Sequence, residues 1–432
     1  MKLRILLINP WIYDFAAASL WSRPLGLLKV AEYLSSFNVE LLFIDCTDVF
    51  LKPGYGRGKY PKERIEKPQC LKPVPRVFGR YGISPDCFGL KLAQAAPFDL
   101  VLVTSVMSWW YPGVQKVIEI IREGYKRVPV ILGGIYATLW HDHASANSGA
   151  DFIYQRAVGE GVRVIFNTFG FRLKRKSDSS PYYKLGLYQN YPFAPVLTGT
   201  GCPFECSYCA SRILGKDFSQ RPAREVVSEI KELSEKGICD FAFYDDALLV
   251  NADKHIKPIL NELMARGINA RFHCPNGLHA RFIDEDLARL MKDSGFRTIR
   301  LGFETYDGKR QKETGGKVTC EDLSRAVKHL KKHGFTKKEI GVYLMYGLPG
   351  QTFEEVKDGV EFLRSLSVRI HLAEFSPIPA TDCWKDLEDK GIVKKGMDPL
   401  LTNNTVFSYL FSGYEPHGID ELKLAVKNHN MS

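Results

Sequence analysis

Short, unbroken apolar runs recur along this chain, each followed by a stretch with helical periodicity. That alternation restricts the fold to sheets of parallel strands covered on both faces. The first series comprises residues 3–8 (LRILLI), 39–44 (VELLFI), 100–104 (LVLVT), 129–132 (PVIL) and 152–154 (FIY), with helical patterns such as Leu25–Phe37 and Val114–Arg122 between them. It predicts a doubly wound, Rossmann-like α/β domain over residues 1–169, with its ligand beyond the carboxyl ends of the strands. Residues 50–97 break the alternation and are rich in Gly, Pro, Lys and Arg. A connection this long suits a lid, an interaction loop or a mobile segment, and the sequence does not choose among them.

Residues 170–194 are basic, Ser- and Tyr-rich and weakly periodic, which makes them the expected linker. A second βα series follows, with strands at 195–199, 240–245, 270–275, 298–304, 339–346 and 370–376 and helices between them. Asp284 and Thr319 stand where N-caps are needed. Six such repeats predict a partial (β/α)6 barrel of TIM type over residues 195–380, with catalysis at the strand C-terminal ends. Residues 381–432 read as a tail over the barrel, irregular from 396 onward.

Several classes fall away. The formal net charge is only +10, and the basic clusters at Lys174–Lys176 and at Lys328, Lys331, Lys332, Lys337 and Lys338 lack interleaved aromatics. They read as solvated faces, so no nucleic-acid partner is expected. No apolar run reaches membrane-spanning length. The first run ends at Asn9-Pro10 without a small-residue cleavage site, as a buried strand of a cytoplasmic protein would. Ten cysteines show no disulfide spacing, and only three lie close together.

Those three, Cys202, Cys206 and Cys209, stand in GTGCPFECSYCAS (199–211), at the end of the first strand of the second series. Three thiolates on one loop can converge on a metal centre, and a closed site would need a fourth ligand. None is local, so one metal position is left open. The C-x-x-x-C-x-x-C spacing, with Tyr208 before the last cysteine and a six-fold βα series after it, resembles the radical S-adenosylmethionine (SAM) enzymes over about residues 195–380. The resemblance implies a 4Fe–4S cluster on the three cysteines. It also implies SAM chelated to the open iron and a 5′-deoxyadenosyl radical formed by its reductive cleavage. By the same resemblance, Tyr208, Asp245 and Asp246 after the second strand, Asn276 after the third, Arg300 and Glu304 on the fourth, and Gly347 and Pro349 after the fifth would bind SAM. The purely structural alternative for Arg300 and Glu304, which period two puts on one face, is an ion pair.

The first half resembles the cobalamin-binding domain of the cobalamin-dependent members, in PLGLLKVAEYL (24–34), DLVLVTSVM (99–107), VILGG (130–134) and DFIYQRAVGEG (151–161). Ser105, Met107, Gly133, Gly134, Gly159 and Glu160 would then touch cobalamin. The Asp-x-His-x-x-Gly motif that supplies a lower cobalt ligand is absent, because Asp14 is followed by Phe15 and Ala16. Trp109-Trp110 could cover a corrin face or simply pack on the sheet. The resulting expectation is a radical SAM methyltransferase acting on an unactivated carbon of a small-molecule or lipid-like substrate, fed by a low-potential donor such as ferredoxin or flavodoxin. Two alternatives stay open: a non-methylating rearrangement, cyclisation or oxidation, and a non-catalytic iron–sulfur or corrin-binding protein.

Overall fold

The computed structural model describes residues 2–49, 52–54, 57–155, 159–176, 187–188, 192–215 and 217–432, so much of the expected linker lies outside it. The chain forms two compact units: residues 1–191 with Lys394–Asn403, and Pro192–Val393 with Asn404–Ser432.

In the first unit, Leu3–Asn9 (β1), Val39–Asp45 (β2), Leu100–Val103 (β3), Val130–Leu132 (β4) and Phe152–Ile153 (β5) form one parallel sheet in the order β5-β4-β3-β1-β2. The four central residues of β1, Ile5–Ile8, are wholly buried, so both faces of the sheet are covered. Ile5 and Leu7 pack with Leu27, Ala31 and Leu34 of the helix Leu25–Ser35 and with Val162 and Phe166 of the helix Glu160–Thr168. Burying each such large aliphatic side chain contributes roughly 1.5–3 kcal/mol, which neither layer gains alone. The strand order reverses between β1 and β3, and a crevice opens at such a switch point.

The described part of the 50–97 insertion is ordered into ribbons and a helix, Pro85–Ala95. The short strand Gly79–Tyr81 pairs with Ile12–Asp14 and with Lys62–Arg64, and Arg57–Lys59 pairs with Ala18–Leu20. The insertion is thus stitched onto the loop that leaves β1.

The second unit holds Ala194–Val196 (β6), Asp240–Phe243 (β7), Arg271–His273 (β8), Phe296–Glu304 (β9), Ile340–Tyr346 (β10) and Arg369–Glu374 (β11), parallel and in chain order. Phe241, Phe243, Phe272 and Phe296 form an aromatic layer across three of these strands. Asp284 accepts from Leu287 N at 2.7 Å, and Thr319 forms a capping box with Asp322, so both caps act where the sequence placed them.

The tail differs from the irregular one expected. Asn404–Phe411 and Pro416–Met431 are helices, and Lys394–Asn403 belongs to the first unit. Ile419, Leu422 and Val426 give the last helix a buried stripe, diluted in the sequence by the Lys, His and Asn around it. Asn430 closes the barrel edge: its amide donates to Ile370 O (2.8 Å) and accepts from Ile370 N (2.9 Å), pairing the outer strand β11.

Candidate functional site

The cysteine loop is a closed excursion from the end of β6. Gly199–Thr200 pairs with Ser219–Gln220, so the chain leaves and returns at one point. Gly201 sits at φ +71°, and a Cβ there would meet Asp217 O at 2.6 Å, so only glycine fits this turn. Asp245, buried at the end of β7, fixes the root of the loop. It accepts from Thr198 N (3.0 Å), Thr198 Oγ1 (2.7 Å) and Gly199 N (2.7 Å), and His255 Nε2 lies 2.7 Å from the same threonine hydroxyl. Burial pushes the Asp245 carboxyl up to about 6 against these hydrogen bonds.

Cys202, Cys206 and Cys209 are all half-buried. Burial raises Cys202 and Cys206, the latter to about 11; Cys209 adds to both shifts, and Lys317 opposes both. Cys209 Sγ lies 3.2 Å from Ser211 Oγ and accepts from Ser211 N at 3.5 Å, donors suited to a thiolate. No three His, Cys, Asp or Glu side chains among the described residues converge on a single ion. A cluster asks for less convergence, since each cysteine takes its own iron.

The structure brings Tyr208, Asp246 and Glu304 to these cysteines. Burial pushes the Tyr208 phenol well up, helped by Glu304, Cys206 and Cys209. Asp246 is also raised by burial, opposed by Ser211 and Lys317. Glu304 adopts φ +67°, a conformation costly for a side-chain-bearing residue, and pairs with Lys317 Nζ at 3.2 Å. β9 bulges between Gly302 and Glu304, which interrupts the alternation that would have put Arg300 and Glu304 on one face. The salt bridge Glu304 forms is therefore with Lys317; Arg300 is buried and donates to Ile299 O at 2.9 Å.

Asn276 donates to Tyr244 O at 2.9 Å, tying the β8 loop to the residue before Asp245. The turn carrying Gly347 and Pro349 is shaped by other groups: Arg310 donates to Pro349 O (2.9 Å) and Gly350 O (2.8 Å), and Gln351 bridges Leu348 N and Met345 O.

Two residues near the cysteines escaped the sequence reading. Lys317 is half-buried; desolvation works against its charge, but Glu304 and the thiols of Cys206 and Cys209 outweigh it and raise its pKa. His279 stacks on Phe204 of the cysteine loop, with ring centroids 4.6 Å apart. Burial first, then Lys317 and Arg281, lowers its pKa to about 3, so it is neutral. The only signal for Lys317 was its place after Gly315-Gly316, and neither a periodicity nor a motif marks it.

In the first unit a cavity of about 220 Å³ lies at the β1/β3 switch point, lined by Asn9, Trp11, Arg23, Thr47, Tyr60, Thr104, Ser105 and Trp110 among others. Of the six expected cobalamin residues, Ser105 lines it; Met107, Gly133, Gly134 and Gly159 do not. Ser105 Oγ donates to Gly133 O at 2.9 Å, and a Cβ on Gly134 (φ +95°) would meet Ser105 O at 2.4 Å. Glu160 opens a helix, and its side chain lies outside the described residues. Arg23 is held by Asp48 at 2.8 Å and lies over the Tyr188 ring at 4.3 Å. Among the described residues no histidine lines the cavity, and His143 Nδ1 lies 2.7 Å from Tyr136 OH. The aromatic rings and polar groups of this lining suit a planar ligand with hydrogen-bonding edges.

Residues 196–363 match the family described as the radical SAM superfamily. An uncharacterized methyltransferase of Pyrococcus horikoshii is 29% identical over 45% of this chain and 42% of its own length. An anaerobic magnesium-protoporphyrin IX monomethyl ester cyclase of Cereibacter sphaeroides is 22% identical over 71% of this chain and 56% of its own length. The chain thus spans about half the length of the curated relatives it matches. The solved structure of the radical SAM methyltransferase TsrM from Kitasatospora setae, with cobalamin and a [4Fe-4S] cluster bound, superimposes with a TM-score of 0.65 at 18% identity. The match covers 90% of this chain and 75% of that one, which shows a shared fold. Three cysteines at the mouth of a six-stranded arc, matched by this domain family, imply a 4Fe–4S cluster and SAM: residues 196–363 form a radical SAM domain.

Proposed function

We propose that the protein is a cobalamin-dependent radical SAM methyltransferase acting on an unactivated carbon. The observation that carries this reading is the cavity at the switch point of a β5-β4-β3-β1-β2 sheet, on the same chain as the open cysteine loop. When bound, the cluster and SAM would supply radical chemistry, and cobalamin would supply a methyl carrier. Cys202, Cys206 and Cys209 would hold the cluster, with Ser211 donating to one of its thiolates. Asp246 and Tyr208 would orient the methionine end of SAM. Glu304, held by Lys317, would accept hydrogen bonds from its nucleoside. Asp245 and His255 would act through Thr198, keeping the loop in place. In the first unit, Trp110 would pack on the corrin while Asn9, Thr47, Thr104 and Ser105 meet its edges.

Among the described residues no helix is long and apolar enough to cross a membrane. A cytoplasmic setting and a ferredoxin- or flavodoxin-type reductant fit this chemistry. A second reading, oxidation or ring formation without methyl transfer, is favoured by the likeness to the cyclase. Anaerobic purification with added hydroxocobalamin tests the proposal. Stoichiometric cobalamin beside about four irons supports it, and iron without cobalamin moves the chain to the second reading.

A further inference from the structure

Asp14 ends the short strand Ile12–Asp14, on the loop that leaves β1, and its carboxylate is buried among four N–H donors. Oδ2 accepts from the indole Nε1 of both Trp109 (3.0 Å) and Trp110 (2.7 Å). Oδ1 accepts from Phe15 N (2.7 Å) and from Asn403 Nδ2 (3.0 Å). The donors come from three places: the loop after β1, the turn Ser108–Trp110 after β3, and the segment Lys394–Asn403 that joins the first unit from far along the chain. Trp110 lines the switch-point cavity and Trp109 does not.

An indole N–H lies in the plane of its ring, so an acceptor fixed in space fixes that plane. One carboxylate oxygen shared by two adjacent indoles therefore sets both rings at once. Without it, a half-buried indole N–H has to find water or turn, because leaving a buried donor unpaired is costly. Asn403, itself buried, holds the other carboxylate oxygen, so the C-terminal segment reaches the cavity wall through Asp14.

We propose that Asp14 is a positioning residue for the first unit's cavity, holding the Trp110 ring as one wall, with Asn403 locking the carboxylate from behind. The inference rests on the cobalamin reading of that cavity. Its test is a double-mutant cycle in the full chain, measuring hydroxocobalamin affinity and absorption spectrum for Asp14→Ala, Trp110→Ala, the double variant and Trp109→Phe. If Asp14 acts through Trp110, each of the first two weakens binding by about ten- to hundredfold. The double variant is then no weaker than the weaker single variant, and Trp109→Phe stays near wild type. Losses that add in the double variant overturn the proposal. Far-UV circular dichroism reports folding, and if Asp14→Ala does not fold, Asp14→Asn carries the same cycle. If the wild type ignores hydroxocobalamin, the cofactor reading fails, and fluorescence still decides the role of Asp14. In a Trp109→Phe background, Asp14→Ala should raise acrylamide quenching, and adding Trp110→Phe should remove the rise; an unchanged quenching overturns the proposal.

Discussion

The three cysteines of the second unit arrive on one loop within eight residues, whereas the cavity of the first unit is walled by residues from 9 to 114, and Asn403 braces it from behind. The first kind of site is local: its donors share one backbone excursion, so a single substitution would remove a ligand. The second is distributed: no one residue would supply the ligand contact alone, and its shape depends on how distant segments pair. Substitutions should therefore act in an all-or-none way at the cysteines and in graded steps around the cavity.

The largest effect tests the local site. Changing Cys202, Cys206 or Cys209 to Ala should abolish iron uptake and the broad absorption near ~400 nm, while Cys239→Ala, Cys274→Ala and Cys320→Ala should leave both intact. Iron retained in any of the first three would break the contrast.

The next concerns the barrel that carries the loop. His273 is fully buried, 3.0 Å from Asp240, and burial lowers its pKa to about 4 even though Asp240 pulls the other way. The unfolded chain then binds more protons between pH ~6.5 and 4, so stability is lost as pH falls through that window. The loss is on the order of 3 kcal/mol. Urea midpoints measured across this range should fall for the wild type and flatten for His273→Gln.

Legibility follows the same division. Cys202, Cys206 and Cys209 could be read directly because ligand spacing is a property of the string, and the strands could be read because continuous apolar runs are. Lys317 could not, because its partnership with Glu304 depends on the bulge at Gly302 and on a loop thirteen residues on. The insertion pairs Gly79–Tyr81 with Ile12–Asp14 across a long sequence separation, through three-residue strands too short to show alternation. A groove beyond the strand ends is legible in the alternation of strands and helices, but its lining is not: Ser105 is named only through the family resemblance, whereas Arg23, Thr47 and Tyr60 enter through the folding of loops.

Glu304→Ala or Lys317→Met should weaken SAM binding by about ten- to hundredfold, matching a lost charge-assisted hydrogen bond of ~1.5–3 kcal/mol, with iron content unchanged. Equilibrium binding of labelled SAM to the reconstituted protein checks this. Loss of iron in either variant would instead make the pair part of the cluster's own support.

A smaller effect separates neighbouring glycines. Gly134→Ala should cost about 1–3 kcal/mol of stability, because φ +95° and the 2.4 Å approach to Ser105 O leave no room. Gly133→Ala should be nearly silent in thermal melts, since its nearest neighbour would be Tyr154 O at 3.8 Å. Equal losses would show that the strand end is not shaped as described.

The most direct test of the whole account is product analysis of the anaerobically reconstituted chain, supplied with hydroxocobalamin, SAM and a low-potential reductant. The expected result is stoichiometric cobalamin, with 5′-deoxyadenosine and S-adenosylhomocysteine both formed, and a cobalt spectrum unchanged by His141→Ala or His143→Ala. A protein that holds its cluster and makes 5′-deoxyadenosine, yet takes up no cobalamin and forms no S-adenosylhomocysteine, would contradict it.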